Sequence, residues 1–110
     1  MRAYLVDEIS PSDMKKISLF LKENSTQSSL DAIFWVEIPE DLLTGIQYKH
    51  QTCRPHVFAI EMGDTWVKAE LFLRSLKTMR CDCQGYSSPQ QREFILNFVH
   101  HMIDTLNINT

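Results

Sequence analysis

Residues 57–74 constrain this chain more than any other segment. Two strand-like runs, residues 57–62 and 65–74, flank Gly63-Asp64, a pair suited to a two-residue hairpin turn. In that register Ile60 faces Val67 and Phe58 faces Ala69. Phe58, Ile60, Met62, Val67, Ala69, Leu71 and Leu73 then share one face, and Glu61, Trp66, Lys68, Glu70 and Arg74 the other. Because side chains alternate with period two, a one-residue slip would bury the charged set, so the register is strongly specified.

The flanking sequence supplies the layers. Residues 2–8 predict a short buried strand, since residues 3–6 are continuously apolar. A helix follows: Ser10 is placed to cap it, Pro11 suits its first position, and Asp13 has capping-box spacing. Met14, Ile17, Phe20 and Leu21 recur at helical spacing. The polar stretch 24–29 predicts a loop. Residues 30–38 predict a strand with Ala32, Phe34, Val36 and Ile38 on one face and Asp31, Ile33, Trp35 and Glu37 on the other, ending at Pro39.

Residues 40–56 read ambiguously. Leu42, Leu43 and Ile46 suggest a short helix that Gly45 interrupts, followed by irregular chain. A further strand is expected at 78–83, with Met79, Cys81 and Cys83 pointing one way. Ser88-Pro89-Gln90-Gln91 opens the strongest helix, whose stripe runs Phe94, Ile95, Phe98, Val99, Met102, Ile103 and Leu106. His101 borders that stripe and His100 lies towards solvent. Two amphipathic helices need one apolar surface to cover. The expected fold is therefore a single α+β domain over residues 1–110, a two-layer sandwich with a mostly antiparallel sheet of four or five strands and two main helices on one face.

Composition narrows the functional classes. With 44% hydrophobic and 23% charged residues, 3 Gly and 4 Pro, the chain is neither disordered nor fibrous. Its net charge is −3 and its basic residues are scattered, which argues against nucleic acid as a partner. The apolar start, residues 3–6, is too short for a secretion signal, and no run approaches a membrane span. Three cysteines, an odd number, fit a reducing cytoplasm better than a disulfide framework.

The candidate chemistry lies in His50-x2-Cys53-x2-His56 and Cys81-x-Cys83. Zinc takes four sulfur or nitrogen ligands, and the set on offer is Cys53, Cys81 and Cys83 with His50 or His56. Against this, residues two apart on a strand are about 6.6 Å apart, so a zinc ligand pair at 81 and 83 requires the chain to bend. The spacing favours the other reading, in which Cys81 and Cys83 fill core space beside Met79. A Cys81–Cys83 disulfide is open only to a loop. Cys53, near two histidines and next to Arg54, is the candidate nucleophile of a thiol enzyme. No arginine stands six residues after a cysteine, and Pro89 occupies the place of the second glycine of a nucleophile elbow, so catalytic signatures are lacking.

Trp35, Trp66 and Phe72 fall on the outer sheet face with Val57 and Ala59. Such a face is either a protein-partner or self-association surface, or is covered by residues 40–56. The sequence reading is thus a small non-catalytic binding or regulatory module that associates with a protein partner or with itself, with a zinc-binding domain as its alternative and a thiol enzyme third.

Overall fold

The computed structural model describes residues 1–78 and 80–110. Its elements are β1 (Ala3–Val6), α1 (Pro11–Asn24), β2 (Thr26–Gln27), β3 (Ile33–Glu37), α2 (Gly45–Lys49), β4 (His56–Met62), β5 (Val67–Glu70), β6 (Phe72–Ser75), β7 (Gly85–Tyr86) and α3 (Pro89–Thr105). The fold is α+β. An antiparallel sheet runs in the order β1-β5-β4-β3-β2, and β6 joins β4 to β7. It has seven strands rather than four or five: β2 and β7, each two residues long, arise in stretches with almost no apolar pattern, the run 65–74 is divided into β5 and β6, and the strand expected at 78–83 is missing over its described residues.

One sheet face carries the core. Phe34, Val36, Phe58, Ile60, Val67, Ala69 and Leu73 meet Met14, Ile17 and Leu21 of α1 and Ile95, Val99 and Met102 of α3. The Phe58 ring stands edge-on to Phe94 and Phe98, at 6.4 and 5.9 Å, and Phe98 meets Phe20 of α1 at 6.1 Å. Both main helices therefore share that face, as their stripes require. Capping follows the local sequence. Ser10 Oγ accepts the Asp13 amide, and Ser88 with Gln91 forms a complete capping box.

The hairpin turns one residue later than expected, which shifts each cross-strand partner by two: Ile60 pairs with Ala69, Met62 with Val67, and Gly63 N–H donates to Trp66 O, leaving Asp64-Thr65 as the turn. This two-residue offset preserves parity, so every side chain keeps its face. Gly63 is needed for a different reason: a Cβ there would run into the Trp66 indole, which lies across it. Farther along, Val57 pairs with Arg74 while Ile60 pairs with Ala69, so the strand opposite β4 carries two extra residues around Leu71. Leu71 bonds instead to Arg2 O and Ser87 N. This bulge splits the run 67–75 into β5 and β6, again without changing faces.

Other expectations are corrected. β1 is an edge strand and Leu5 is 53% exposed, because only β5 pairs with it. No strand forms over 80–83; those residues turn, closed by Gln84 N–H to Cys81 O, while Met79 lies outside the described residues. The cause is Ser75, whose Oγ accepts the Lys77 and Thr78 amides and so ends the ladder. In residues 40–56, Gly45 opens α2 instead of interrupting it, behind the Thr44–Gln47 capping box. Ile46 faces solvent at 44% exposure, while Leu42 and Leu43 join the helix-side core. The segment thus packs on the helix side rather than across the outer sheet face. His100 lies towards solvent as expected, its Nε2 2.9 Å from Tyr4 Oη, but His101 is exposed as well and does not border the core. No helix among the described residues is long and apolar enough to cross a membrane.

Candidate metal centre

Two short turns built from polar sequence bring four ligands together. The first is the end of α2 and the 3-10 turn Gln51–Cys53, in which His50 is both the C-cap of the helix and the start of the turn. The Cys53 amide donates to His50 O, which folds His50 and Cys53 to one side. The second is the 81–84 turn, which bends Cys81 and Cys83 toward each other and removes the objection that applies to a straight strand.

One ligand atom from each of His50, Cys53, Cys81 and Cys83 lies within 4.8 Å of all the others. His50 Nδ1 is 2.9 Å from Cys81 Sγ, and Cys53 Sγ is 3.5 Å from Cys81 Sγ. Zinc–sulfur and zinc–nitrogen bonds of about 2.3 and 2.0 Å place tetrahedral neighbours about 3.5–3.8 Å apart. The 2.9 and 3.5 Å separations lie at or just below that edge, and no pair in the group exceeds 4.8 Å. Cys53 and Cys83 are buried, and His50 and Cys81 are half-buried. All three cysteines are free thiols.

The thiols differ in acidity. A hydrogen bond from Thr78 is the main reason the Cys53 thiol falls to about 7, helped by Cys81, Cys83 and His50 against the opposing effect of burial. Burial is the main reason the Cys83 thiol is pushed up to about 12, with its two cysteine neighbours acting in the same direction. A divalent cation among them reverses the second effect, since it stabilises every thiolate it touches.

The backbone beneath the ligands is held by buried amides and a hydroxyl. Ser75 Oγ donates to Cys53 O at 2.6 Å, and Ser75 N–H donates to Gln84 Oε1 at 2.8 Å. Gln47 Nε2 donates to Cys83 O at 3.1 Å. Gln91 Nε2 in turn donates to Gln47 Oε1 at 2.8 Å and to Leu42 O at 2.9 Å, while Gln91 Oε1 accepts the Ser88 amide. The two capping boxes of α2 and α3 are thus joined through their glutamines, and the pair reaches the Cys83 carbonyl. Gln91 is fully buried and Gln47 nearly so. These supports are of the kind that fix ligand geometry in metal sites.

Of the five ligands proposed from sequence, the structure unites His50, Cys53, Cys81 and Cys83. His56 is not part of the group. It begins β4, is 1% exposed, and neither ring nitrogen has a hydrogen-bond partner among the described residues. Burial, followed by the Arg54 and His50 charges, lowers its pKa below the ordinary 6.5. Gln47 and Ser75 were not singled out by sequence reasoning. The Thr44-x2-Gln47 spacing was the available signal for Gln47; nothing in the sequence pointed to Ser75. Trp35, Trp66 and Phe72 are each half-buried on the outer sheet face.

Compared with protein-family models, curated proteins and solved structures, the chain matches none of them.

Proposed function

We propose that this chain is a non-catalytic zinc-binding domain, in which one ion on His50, Cys53, Cys81 and Cys83 locks residues 45–53 onto the 81–84 turn. The observation that carries the reading is the convergence of the four ligand atoms within 4.8 Å. Three thiolates and an imidazole suit zinc, whereas magnesium and calcium prefer oxygen. With four protein donors the coordination shell is complete, the pattern of a structural site rather than one that keeps a position for a reacting water. Its thiols require a reducing setting such as the cytoplasm.

Native mass spectrometry of the protein purified under reducing conditions tests this. The expected result is a mass increment of one zinc, lost with strong chelator together with a fall in Tm, and absent from Cys81→Ser. A metal-free mass after incubation with zinc, and a Tm indifferent to chelator, would overturn it.

A second reading concerns what such a module contacts. Leu5, 53% exposed on the edge strand, lies beside Trp66 and Lys68 in one shallow pocket, which supports a self-association or protein-partner surface on the outer sheet face. Sedimentation velocity separates the outcomes. A dimer that Trp66→Glu dissociates supports self-association, and a monomer at all concentrations removes it.

A further inference from the structure

We propose that the zinc centre is redox-released: a hydroperoxide joins Cys53 and Cys81 in a single disulfide, leaves Cys83 reduced, and frees the ion. The release half rests on the zinc reading above; the choice of cysteine pair does not.

Exposure and distance select the pair. Cys81 is the half-buried cysteine and the one nearest solvent, whereas Cys53 and Cys83 are 4% and 2% exposed. The Sγ atoms of Cys53 and Cys81 are already 3.5 Å apart, and a bond of about 2.05 Å needs about 1.5 Å of further approach. All three cysteines are tied through the backbone, Cys81 through its carbonyl to the Gln84 amide, so the approach falls to rotation of the more exposed Cys81 side chain. Cys53 is anchored through its carbonyl by Ser75 and through its amide by His50, and Cys83 through its carbonyl by Gln47. Cys81 and Cys83 are also separated by one residue, so a bond between them would close a small, strained ring.

The chemistry balances with hydrogen peroxide as oxidant. The Cys81 sulfur attacks one peroxide oxygen, the O–O bond breaks, and an S–OH group forms as hydroxide leaves and takes up a proton. The Cys53 thiolate then attacks the Cys81 sulfur. The S–S bond forms, the S–O bond breaks, and the departing hydroxide takes up the second proton. Two thiolates, one peroxide and two protons yield one disulfide and two waters, with two electrons passing from sulfur to oxygen. His50 and Cys83 are the two donors left, half of a tetrahedral set, and the ion dissociates.

The test uses the full chain, reduced and loaded with one equivalent of zinc, then treated with hydrogen peroxide. A chromogenic chelator reports zinc, and mass spectrometry after thiol blocking maps the cysteines. The expected result is loss of one zinc per chain, a mass lower by two hydrogens after blocking is accounted for, a cross-linked peptide pair containing Cys53 and Cys81, and blocked Cys83. A thiol reductant restores zinc binding. Cys81→Ser gives no cross-link, and Cys83→Ser, assayed metal-free, still gives the Cys53–Cys81 link. A Cys81–Cys83 link, or sulfinic acid at Cys81 without a cross-link, would overturn the pairing. Zinc that binds and survives formation of the link would overturn release while leaving the zinc reading intact. If the protein never takes up zinc, both the zinc reading and release fail, and the metal-free map alone decides the pairing.

Discussion

The helix–sheet core and the cysteine-bearing lobe are held by opposite means. In the core, Phe34, Phe58, Ile60, Leu73, Ile17, Leu21, Ile95 and Met102 are buried almost without exposure, and apolar burial is the cohesive force. In the lobe, residues 40–55 with 75–91, the buried side chains among the described residues are Gln47, Ser75, Gln91, Cys53 and Cys83, and the apolar Ile46 and Tyr48 face water. The lobe is held by directed hydrogen bonds, and four side chains able to hold a metal converge in it. Apolar cohesion is tolerant of small shifts in angle, whereas a carbonyl or a thiolate is satisfied only at its own distance. A lobe built this way gains little from collapse and would gain much from a cross-linking ion of the kind proposed, which is how small metal sites offset a thin core.

Substitutions that strike one region and spare the other break this comparison most directly. Phe58→Ala, in the centre of the core, is expected to cost about 3–5 kcal/mol in denaturant unfolding while leaving zinc affinity of the folded chain unchanged. Gln91→Leu strikes the lobe. It strips the Ser88 amide, Leu42 O and Gln47 Oε1 of a partner, with an expected cost of about 1–3 kcal/mol. Through Gln47 and Cys83 it should also weaken zinc binding about 10–100-fold in a competition titration. Equal affinity for the two variants would dissolve the distinction drawn above.

Gly63→Ala probes the hairpin tip, remote from the lobe. The new Cβ displaces the Trp66 ring, with an expected loss of about 1–3 kcal/mol and a red shift of tryptophan emission; unchanged fluorescence would show that the indole does not lie on Gly63.

The smallest effect concerns pH. The folded chain holds His56 neutral to a pH lower than the unfolded chain does, whose histidine titrates near 6.5. Protons therefore bind the unfolded state preferentially as pH falls below 6.5, and stability declines through that window until the lowered folded value is passed. In excess chelator, so that metal loss does not contribute, the Tm of His56→Leu should fall less steeply between neutral pH and the acid side than that of the parent. Parallel slopes would mean that His56 finds a partner for its proton.

Much of the core was legible because its signal is periodic. Phe58, Ile60, Val67 and Ala69 are assigned to one face by alternation alone, and this survived both the shifted turn and the two-residue bulge at Leu71, since neither changes parity. Met14, Ile17 and Leu21, and Ile95, Val99 and Met102, follow equally from helical spacing and caps. The site was legible only as an inventory. His50, Cys53, Cys81 and Cys83 were named, but the strand expected at 78–83 set Cys81 and Cys83 too far apart, and His56 stood as an equal choice to His50.

What the sequence determined by itself, then, is an α+β sandwich with two capped helices on one apolar face, together with the donors available for a metal. What only the tertiary structure decided is where the hairpin turns, that 80–83 bends rather than extends, and which histidine joins the cysteines. Those outcomes depend on contacts between residues far apart in the chain: Ser75 with Cys53, Gln47 with Cys83, Gln91 with Gln47. Apolar patterning is a property of neighbours along a strand or helix and can be read from spacing. A hydrogen bond between distant side chains leaves no period in the sequence, so its geometry exists only once the chain has folded.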